Sequence, residues 1–300
     1  MTKNPKISVI IPTFNRAKML MRAVESVTQQ EFINYEIIIV DNFSIDNTEK
    51  IIKELNNKKI KFIQFKNNGN IAASRNVGLK NSIGEWVAFL DSDDWWHHTK
   101  LIEVERYLTD EYDFLYHKLQ AVKITNNNLI YSKILYSKKL KKPIIEDLLL
   151  SGNVINNSSV IVKSSILKKI GGISEDRNFI YAEDYHTWLR IAEKTEKFFY
   201  IPKVLGYYLI HDGNLQFRDM SKPTLNIVNQ FIHLVNSEKQ NTIIANLSFM
   251  SAKFYFMKKD YDIALKKFIS QIKYLTTLNK LKSFFFIINI VLLKLFKKFN

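Results

Sequence analysis

Residues 89–96 read Phe-Leu-Asp-Ser-Asp-Asp-Trp-Trp, and an apolar segment gives way there to three closely spaced carboxylates. The preceding run, 84–90, is short and rich in aromatic and β-branched residues, which predicts a buried strand. In an open α/β sheet, ligands collect at the carboxyl ends of the strands. Oxygen ligands such as Asp91 and Asp93 suit Mg²⁺ or Mn²⁺ and leave coordination positions open for phosphate oxygens. A polar turn with Asp94 capping the next helix is the alternative.

Three further apolar runs precede this one, at 6–11, 36–40 and 60–65. Each is followed by a polar loop and then by apolar residues at helical spacing. Strand and helix therefore alternate four times within about ninety residues, which predicts an α/β fold with a parallel, doubly wound sheet. The ends of the strands would place Pro12, Asp41 and Asp91 on the same rim of that sheet.

The composition sets limits on domain number and compartment. A chain of 300 residues with 46% hydrophobic content can form one large domain, or one domain with an appendage. There are no cysteines, which excludes disulfides and thiolate metal sites and fits a reducing compartment. The first residues lack the apolar core of a signal peptide. We therefore expect a cytoplasmic protein.

Four segments resemble the motifs of the family 2 glycosyltransferases in order and in spacing. They are Val-Ile-Ile-Pro-Thr-Phe-Asn-Arg (9–16), Val-Asp-Asn-Phe-Ser-Ile-Asp-Asn-Thr (40–48), Gly-Asn-Ile-Ala-Ala-Ser-Arg-Asn-Val-Gly (69–78) and Phe-Leu-Asp-Ser-Asp-Asp (89–94). The resemblance continues more thinly to about residue 215. It implies a GT-A fold, with a Rossmann-like, mostly parallel sheet, over residues 1–220, and we expect a helical C-terminal region over 221–300.

The resemblance also implies an inverting transfer of a sugar from a nucleotide diphosphate sugar. The residues it assigns to donor binding are Pro12, Thr13, Asn15, Asp41, Asn42, Arg75, Asp91 and Ser92. The family usually has Asp-Asp where this chain has Asp41 and Asn42. Asn42 can still accept a hydrogen bond from a base imide through its amide oxygen, and a UDP-sugar is favoured. A salt bridge on a helix surface is the alternative for Arg75.

A divalent cation, Mn²⁺ or Mg²⁺, belongs to the same resemblance. It makes Asp93 the direct metal ligand, Asp91 a contact to ribose or metal, and His211 a residue near the metal and the diphosphate. Such a cation acts as a Lewis acid that stabilises the charge on the leaving diphosphate. The arginine that is common two residues before this histidine in the family is Leu209 here, so the match is partial.

Residues 181–190 resemble the family segment that holds the catalytic base. Inversion needs a base to accept the proton of the attacking hydroxyl, and a carboxylate at the start of a helix can do this. We assign this role to Asp184, with Glu183 as the second choice. The alternative is that both acids stabilise a helix N-terminus through capping and the helix dipole.

The middle of the chain is less informative. The sequence predicts a strand at 112–116 and a hairpin of 121–124 and 129–135 around a turn at 126–128. The basic run 138–142 fits a solvated loop.

The C-terminal end combines lysines with apolar residues. From Ser251 onward there are eleven lysines and two aspartates, which account for +9 of the total charge of +15. The apolar run 284–293 is too short to span a bilayer. Its flanking lysines predict a helix from about 280 to 300 that lies at a membrane surface, with a buried or oligomerising helix as the alternative. The lysines are Lys280, Lys282, Lys294, Lys297 and Lys298.

Together these features predict a glycosyltransferase bound peripherally to the cytoplasmic face of the membrane. Its acceptor would be a saccharide or a lipid-linked saccharide in surface polysaccharide, lipopolysaccharide or glycan synthesis. Two other readings remain open. One is a nucleotidyltransferase of related fold, and the other is a non-catalytic protein that binds membrane or nucleic acid through the basic tail. We expect no nucleic acid as a partner.

Overall fold

The computed structural model describes residues 4–126, 128–211 and 219–299, with side chains up to residue 295. The chain divides into two compact units. The first contains Met1–Ile145 and Asn153–Asp212, and the second contains Glu146–Gly152 and Gly213–Asn300. The sequence did not indicate that Glu146–Gly152 groups with the C-terminal region.

The first unit is built on one mixed sheet. The described residues form nine strands: β1 (Ile7–Thr13), β2 (Tyr35–Asp41), β3 (Ile60–Gln64), β4 (Trp86–Phe89), β5 (Trp95–Trp96), β6 (Phe114–Thr125), β7 (Asn128–Ile134), β8 (Ile161–Lys163) and β9 (Phe198–Leu209). Their order across the sheet is β3-β2-β1-β4-β8-β6-β9-β5, and β7 pairs with β6. The first four strands are parallel to one another, as the alternating strand and helix pattern predicts.

The centre of the sheet forms because its strands are apolar on both faces. Every residue of β1 and β4 is buried, so these strands need cover on both sides, which is typical of parallel sheets. The β1 and β2 registers place Thr13 opposite Asp41 at the carboxyl ends of the two strands. The predicted meeting of Pro12, Asp41 and Asp91 at one rim follows from this register and from the neighbouring position of β4.

Helices cover the sheet of the first unit and connect its strands. They are α1 (Ala17–Thr28), α2 (Thr48–Glu54), α3 (Ile71–Asn81), α4 (Lys100–Glu105), α6 (Ser164–Lys169) and α7 (Glu183–Ala192). Between α4 and α6 in the chain lies α5 (Ile144–Ser151), most of which groups with the second unit. The side chains of α1 pack on β1, β2 and β4 in one large apolar core, while α7 packs through Trp188 against Phe89 and Phe114. The sheet thus holds the N-termini of α3 and α7 near its carboxyl rim.

The strand prediction for the middle of the chain was wrong in one respect. Residues 112–116 and 121–124 do not form two strands, because β6 runs without interruption from Phe114 to Thr125. A register irregularity between Gln120 and Val122 interrupts its pairing with β7. This irregularity breaks the apolar alternation that would have marked one strand in the sequence.

The second unit is helical. Its described part after residue 218 contains α8 (Ser221–Phe231), α9 (Ser237–Met257), α10 (Tyr261–Ser270) and α11 (Thr277–Phe299). The last three helices share an apolar core that includes Phe249, Phe268 and Ile290. The side chain of Asp260 caps α10 by accepting a hydrogen bond from the Ile263 backbone. No helix within the described residues is long and apolar enough to cross a membrane.

Candidate active site

The loop after β2 is shaped by Asp41 and is tied to the loop after β1 through Ser44, whose hydroxyl accepts a hydrogen bond from the Asn15 backbone N–H at 2.8 Å. Asp41 is fully buried, and its carboxylate accepts hydrogen bonds from the Ser44 hydroxyl (2.5 Å) and the Ser44 backbone N–H (2.9 Å). The predicted role of Asp41 in holding a nucleoside therefore competes with its role in shaping this loop. Thr13, opposite it, has a buried hydroxyl that finds no partner among the described residues. That hydroxyl is a candidate contact for a bound polar ligand.

Two asparagines shape the same rim. Asn15 has a positive φ of 50°, and its side-chain oxygen accepts a hydrogen bond from the Ile45 backbone at 2.8 Å. Asn42 accepts a hydrogen bond from the Asn67 backbone through Oδ1 at 2.9 Å. That oxygen has a second lone pair, so it can still accept one hydrogen bond from a ligand, and the amide N–H groups can donate. Acceptance of a base imide proton by Asn42 stays a prediction.

Two further predicted donor-binding residues are buried. Pro12 lies buried within β1, and the Ser92 side chain is also buried. Pro12 carries no side-chain hydrogen-bonding group, so a hydrogen bond from a donor could be accepted only by its backbone carbonyl.

Asp91 lies just beyond β4 and is held by a cation and an amide. Its Oδ1 accepts hydrogen bonds from Arg75 Nη2 at 2.7 Å and from Asn157 Nδ2 at 2.9 Å. Its backbone N–H donates to the Ser158 hydroxyl at 3.1 Å. The short 3-10 helix Asn157–Ser159, which precedes β8, therefore fixes the position of Asp91.

Asp93 is held by two potentially cationic side chains. Its Oδ2 lies 2.7 Å from Arg16 Nη1 and 2.9 Å from His211 Nε2. Burial acts to raise the pKa of Asp93, but the His211 hydrogen bond and the Arg16 charge outweigh it and lower the pKa below its ordinary value. Asp93 is therefore an ionised carboxylate at neutral pH.

Arg22 on α1 contacts the aspartate loop, the segment 91–94 that follows β4. Its Nη2 donates to the Asp93 backbone carbonyl at 2.9 Å, and its guanidinium stacks on the Trp95 ring with the Cζ atom 3.8 Å from the ring centroid. A cation over an aromatic face is attracted by the ring quadrupole. Trp95 and Asp93 are thus joined through one arginine.

Asp94 is buried beneath the loop instead of capping a helix. Its carboxylate accepts hydrogen bonds from the Ser158 hydroxyl at 2.6 Å and from the Leu209 backbone at 3.1 Å. Burial, followed by the charges of Asp93 and Asp91, raises its pKa well above the ordinary value. Ser158 therefore links Asp94 to the Asp91 backbone. The turn interpretation of this segment missed that link, because Ser158 lies more than sixty residues away in the chain.

Arg75 bridges the aspartate loop and the start of α7. Its Nη2 contacts Asp91 Oδ1 at 2.7 Å, and its Nη1 contacts Glu183 Oε1 at 2.6 Å. The arginine is 3% exposed, so the alternative of a salt bridge on a helix surface is wrong. Burial lowers the pKa of Arg75, but the two carboxylates outweigh it and raise the pKa above its ordinary value. The bridge keeps Arg75 charged and places Glu183 close to the aspartate loop.

Glu183 and Asp184 differ in their partners although they are adjacent. Glu183 is paired with Arg75, and its Oε2 is buried without a partner among the described residues. Asp184 is half-buried, and its carboxylate accepts hydrogen bonds from Asn153 Nδ2 at 3.1 Å and from the Tyr185 backbone at 2.6 Å. Burial and, second, the charge of Glu183 raise the pKa of Asp184 to about 7. A carboxylate with a pKa near the working pH is suited to accept a proton.

The loop before α7 is attached to α3. Asn76 on α3 donates to the Ile173 carbonyl at 2.8 Å and accepts from the Ile173 backbone N–H at 2.9 Å. Gly172 permits this approach, because it has φ +79° and a Cβ there would lie 2.8 Å from Asn76 Oδ1. Two adjacent residues of α3, Arg75 and Asn76, therefore position the acidic start of α7 and the loop that leads to it.

The predicted metal residues lie at one rim but do not form a complete metal site. Within residues 4–126, 128–211 and 219–299, no three His, Asp or Glu side chains are arranged to hold a metal. Asp91 and Asp93 each engage their charged partners through one oxygen, Oδ1 and Oδ2 respectively. The second oxygen of each carboxylate remains as a candidate ligand, and hard oxygen donors suit Mn²⁺ or Mg²⁺. His211 contacts Asp93, so a metal role for it stays a prediction.

Comparison with known proteins identifies related sequences. The profile described as "Glycosyl transferase family 2" matches residues 8–170. An uncharacterized glycosyltransferase of Rickettsia conorii is 33% identical over 242 residues, which is 77% of this chain but 37% of that protein. The Escherichia coli protein WfaP is 30% identical over 211 residues, 70% of this chain and 79% of its own. Its name is UDP-Glc:alpha-D-GlcNAc-diphosphoundecaprenol beta-1,3-glucosyltransferase.

A solved structure has the same fold. Residues 1–349 of Staphylococcus aureus TarS, in complex with UDP-GlcNAc, match with a TM-score of 0.64 and 20% identity. The match covers 91% of this chain and 82% of the other. This likeness confirms the predicted GT-A fold with a helical C-terminal region.

Proposed function

The chain belongs to glycosyl transferase family 2, and on this premise we propose that it is an inverting, metal-dependent glycosyltransferase with a UDP-sugar as donor. The observation that carries the proposal is the Arg75 bridge between Asp91 and Glu183. One guanidinium joins the loop that would hold the donor diphosphate to the helix start that would hold the base. A donor and an acceptor would therefore meet at the same rim of the sheet.

In the proposed reaction, Asp184 accepts the proton of the acceptor hydroxyl. The hydroxyl oxygen forms a bond to the anomeric carbon from the side opposite the diphosphate, and the bond from that carbon to the phosphate oxygen breaks. The nucleoside diphosphate leaves with the electron pair of that bond. The raised pKa of Asp184 supports this assignment over Glu183, whose carboxylate is already engaged by Arg75.

The cation would be held by Asp91 and Asp93, with His211 beside them. When bound, Mn²⁺ or Mg²⁺ supplies Lewis-acid stabilisation of the charge that develops on the diphosphate. Contacts within the chain suit the two aspartates to hold a cation. Arg16 and His211 keep Asp93 ionised, and Arg75 orients Asp91. The ionised state of Asp93 is the one that a cation requires.

The acceptor that we propose is a saccharide, free or lipid-linked, in surface polysaccharide, lipopolysaccharide or related glycan synthesis. The E. coli relative is named for an acceptor on diphosphoundecaprenol, which supports a lipid-linked substrate. An acceptor of this kind would place the enzyme at the cytoplasmic face of a membrane, which agrees with the sequence-based expectation.

Helix α11 is the proposed membrane contact of the second unit. Its side chains Leu281, Ile288 and Leu295 recur every seven residues and are 62%, 58% and 49% exposed. The opposite side of the helix is used for packing, since Ile290 is buried in the helical core. An exposed apolar stripe on a helix without a single acidic residue is typical of helices that lie in a membrane interface.

The transferase proposal is tested with the purified chain, Mn²⁺ or Mg²⁺, and a panel of UDP-, GDP- and other nucleotide sugars. We expect the metal and one UDP-sugar together to raise the melting temperature by mass action. We also expect slow donor hydrolysis, and transfer to a GlcNAc-diphosphate carrying an alkyl chain. Proton NMR of the product would report the inverted anomeric configuration. Neither transfer nor hydrolysis with any donor and metal would contradict the proposal.

The α11 contact is tested by sedimentation with vesicles that contain anionic phospholipid. Replacing Leu281, Ile288 and Leu295 by serine should reduce binding, while Met257→Ser, at an exposed position of α9, should not. Equal binding by the stripe variant and the control would contradict this role for α11.

A further inference from the structure

A β-hairpin extends beyond the carboxyl rim of the sheet. Strand β6 is parallel to β9, and Val122 lies opposite Leu209, the last residue of β9. β6 then continues for three more residues to Thr125 and returns as β7. The part beyond Leu209 contains the described residues 123–126 and 128–130, and all of them are exposed. The tip of the hairpin therefore projects into solvent, while residues 131–134, which are exposed as well, run back beside β6.

The projecting part is apolar on both faces. Ile124 is directly opposite Leu129, and Lys123 is directly opposite Ile130, so the two pairs lie on opposite faces of the hairpin. Ile124, Leu129 and Ile130 are between 43% and 49% exposed. Contact with a single flat protein surface would cover only one face. Insertion of the tip into a lipid bilayer would cover both faces.

The charge of this segment is of one sign. Residues 114–145 contain seven lysines and no aspartate or glutamate. Lys123, Lys133, Lys139 and Lys142 are exposed. Pairing of β7 with β7 of a second copy would bring these like charges together, whereas an anionic surface would neutralise them.

The hairpin is also close to the proposed donor site. The Ile210 backbone donates to the Val122 carbonyl at 2.8 Å, and the next residue, His211, contacts Asp93. On the same strands, the Tyr131 ring packs on Tyr207 with centroids 5.7 Å apart, and Tyr207 stacks on Trp95. Whatever the hairpin binds would therefore lie beside the rim that carries the aspartates.

We propose that the β6–β7 hairpin is a membrane-binding element that inserts its apolar tip between the head groups of an anionic phospholipid bilayer. The apolar side chains of the tip would enter the head-group region, and the exposed lysines would contact lipid phosphates. This surface is separate from α11 and belongs to the catalytic unit. Its further consequence, delivery of a lipid-linked acceptor to the rim, rests on the proposed function.

The first test measures the partition of the full chain onto phosphatidylglycerol-containing and pure phosphatidylcholine vesicles, without donor or metal. We expect Lys123→Glu with Lys133→Glu to lower partition onto anionic vesicles at least about tenfold, because each lysine near such a surface contributes roughly 1 kcal/mol. Ile124→Ser with Leu129→Ser and Ile130→Ser should lower it as well. Lys58→Glu with Lys80→Glu is the matched control, since both lysines are exposed and precede strands β3 and β4 at the opposite rim.

The second test uses the absence of cysteine from the chain. Leu129→Cys and, as control, Ile83→Cys are labelled with an environment-sensitive fluorophore. We expect a blue shift with anionic vesicles for the label at 129 only. The readout needs no catalysis, so failure of transfer and failure of this surface are distinguishable.

The proposal is overturned by any of three results. One is equal partition of the hairpin variants and the opposite-rim control. Another is the absence of a blue shift at position 129 on vesicles that bind the chain. The last is a dimer in light scattering, or an RNA complex, that the hairpin variants abolish while vesicle binding stays unchanged.

Discussion

The aspartate loop after β4 and the acidic start of α7 carry the same type of side chain in opposite electrostatic settings. Asp93 contacts Arg16 and His211, and its pKa is lowered. Asp184 is approached by an amide and a backbone N–H, and its pKa is raised to about 7. The first setting preserves a negative charge, and the second allows a carboxyl group to exchange a proton near neutral pH.

This difference shows that similar residues at one rim of the sheet can serve two roles, holding a negative charge and exchanging a proton. When the environments of carboxyl groups push their pKa values apart, the groups are suited to different roles. Arg75 contributes to the division because it pairs with Asp91 and Glu183 and leaves Asp184 without such a partner among the described residues.

The largest expected effect is that of Asp93→Asn. In the proposed mechanism the substitution removes the charge that holds the cation, and with it the stabilisation of the leaving diphosphate, so kcat/KM should fall about ten thousandfold. Melting-temperature shifts with Mn²⁺ and UDP should disappear as well. Asp110→Asn is a control at a fully exposed carboxylate. If Asp93→Asn still showed metal-dependent donor binding, the role assigned to the Asp93 charge would be contradicted, and with it the contrast to Asp184.

Asp184→Asn should have the next largest effect. Loss of a general base lowers kcat by about a hundredfold to a thousandfold, while donor affinity should stay unchanged because the proposed mechanism places this residue on the acceptor side. Steady-state kinetics and a separate titration of UDP binding distinguish the two parameters. Equal losses in kcat and in donor affinity would instead assign Asp184 to the donor site.

The pH profile gives a finer comparison. The base must be deprotonated to act, so kcat/KM should fall as the pH drops below the pKa of Asp184, which is about 7. Glu183→Gln removes a negative charge that raises this pKa and leaves more of the Arg75 charge to lower it. The acidic limb should therefore move to lower pH. Glu193→Gln, at an exposed position at the end of α7, should leave the limb in place. A shift toward higher pH in Glu183→Gln would contradict the assignment.

The smallest effect is expected for Ser158→Ala. The substitution leaves the buried Asp94 carboxyl and the Asp91 backbone N–H each without one partner. Unmade hydrogen bonds of buried groups cost about 1–3 kcal/mol, so the free energy of unfolding should fall by that amount. Activity should fall less than in Asp184→Asn, because the carboxylates themselves remain. Denaturant unfolding and kcat/KM measure the two effects, and an unchanged unfolding midpoint would show that the serine does not hold the loop.

The fold was predictable where each strand is an unbroken apolar run followed by a turn. This applies to β1, β2 and β4, since continuous burial leaves a simple signal in the sequence. Strand β6 pairs irregularly and has no such continuous apolar run, so this one strand was predicted as two. The grouping of Glu146–Gly152 with the second unit left no local signal at all, because it depends on contacts with residues far along the chain.

The candidate site was predictable in its acids but not in their partners. Asp91, Asp93 and Asp184 stand out because carboxylates follow a strand or open a helix. Arg16 lay inside a quoted motif but was given no role, and Asn153 and Ser158 carry no distinctive pattern. Their contacts join residues 31 to 77 positions apart, and only the folded sheet brings them together. The difference between Glu183 and Asp184 likewise depends on Arg75, 108 residues before Glu183.

The stacking of Arg22 on Trp95 gives the molecule an intrinsic optical reporter. Arg22 also holds the Asp93 backbone, so a change of charge or position at Asp93 alters the electric field at the indole. Indole emission depends on that field, and Trp95 is only two residues from the carboxylate. Binding of a cation or a diphosphate at the aspartate loop would thus change the fluorescence of the unlabelled protein, and donor binding could be followed in real time without a modified substrate.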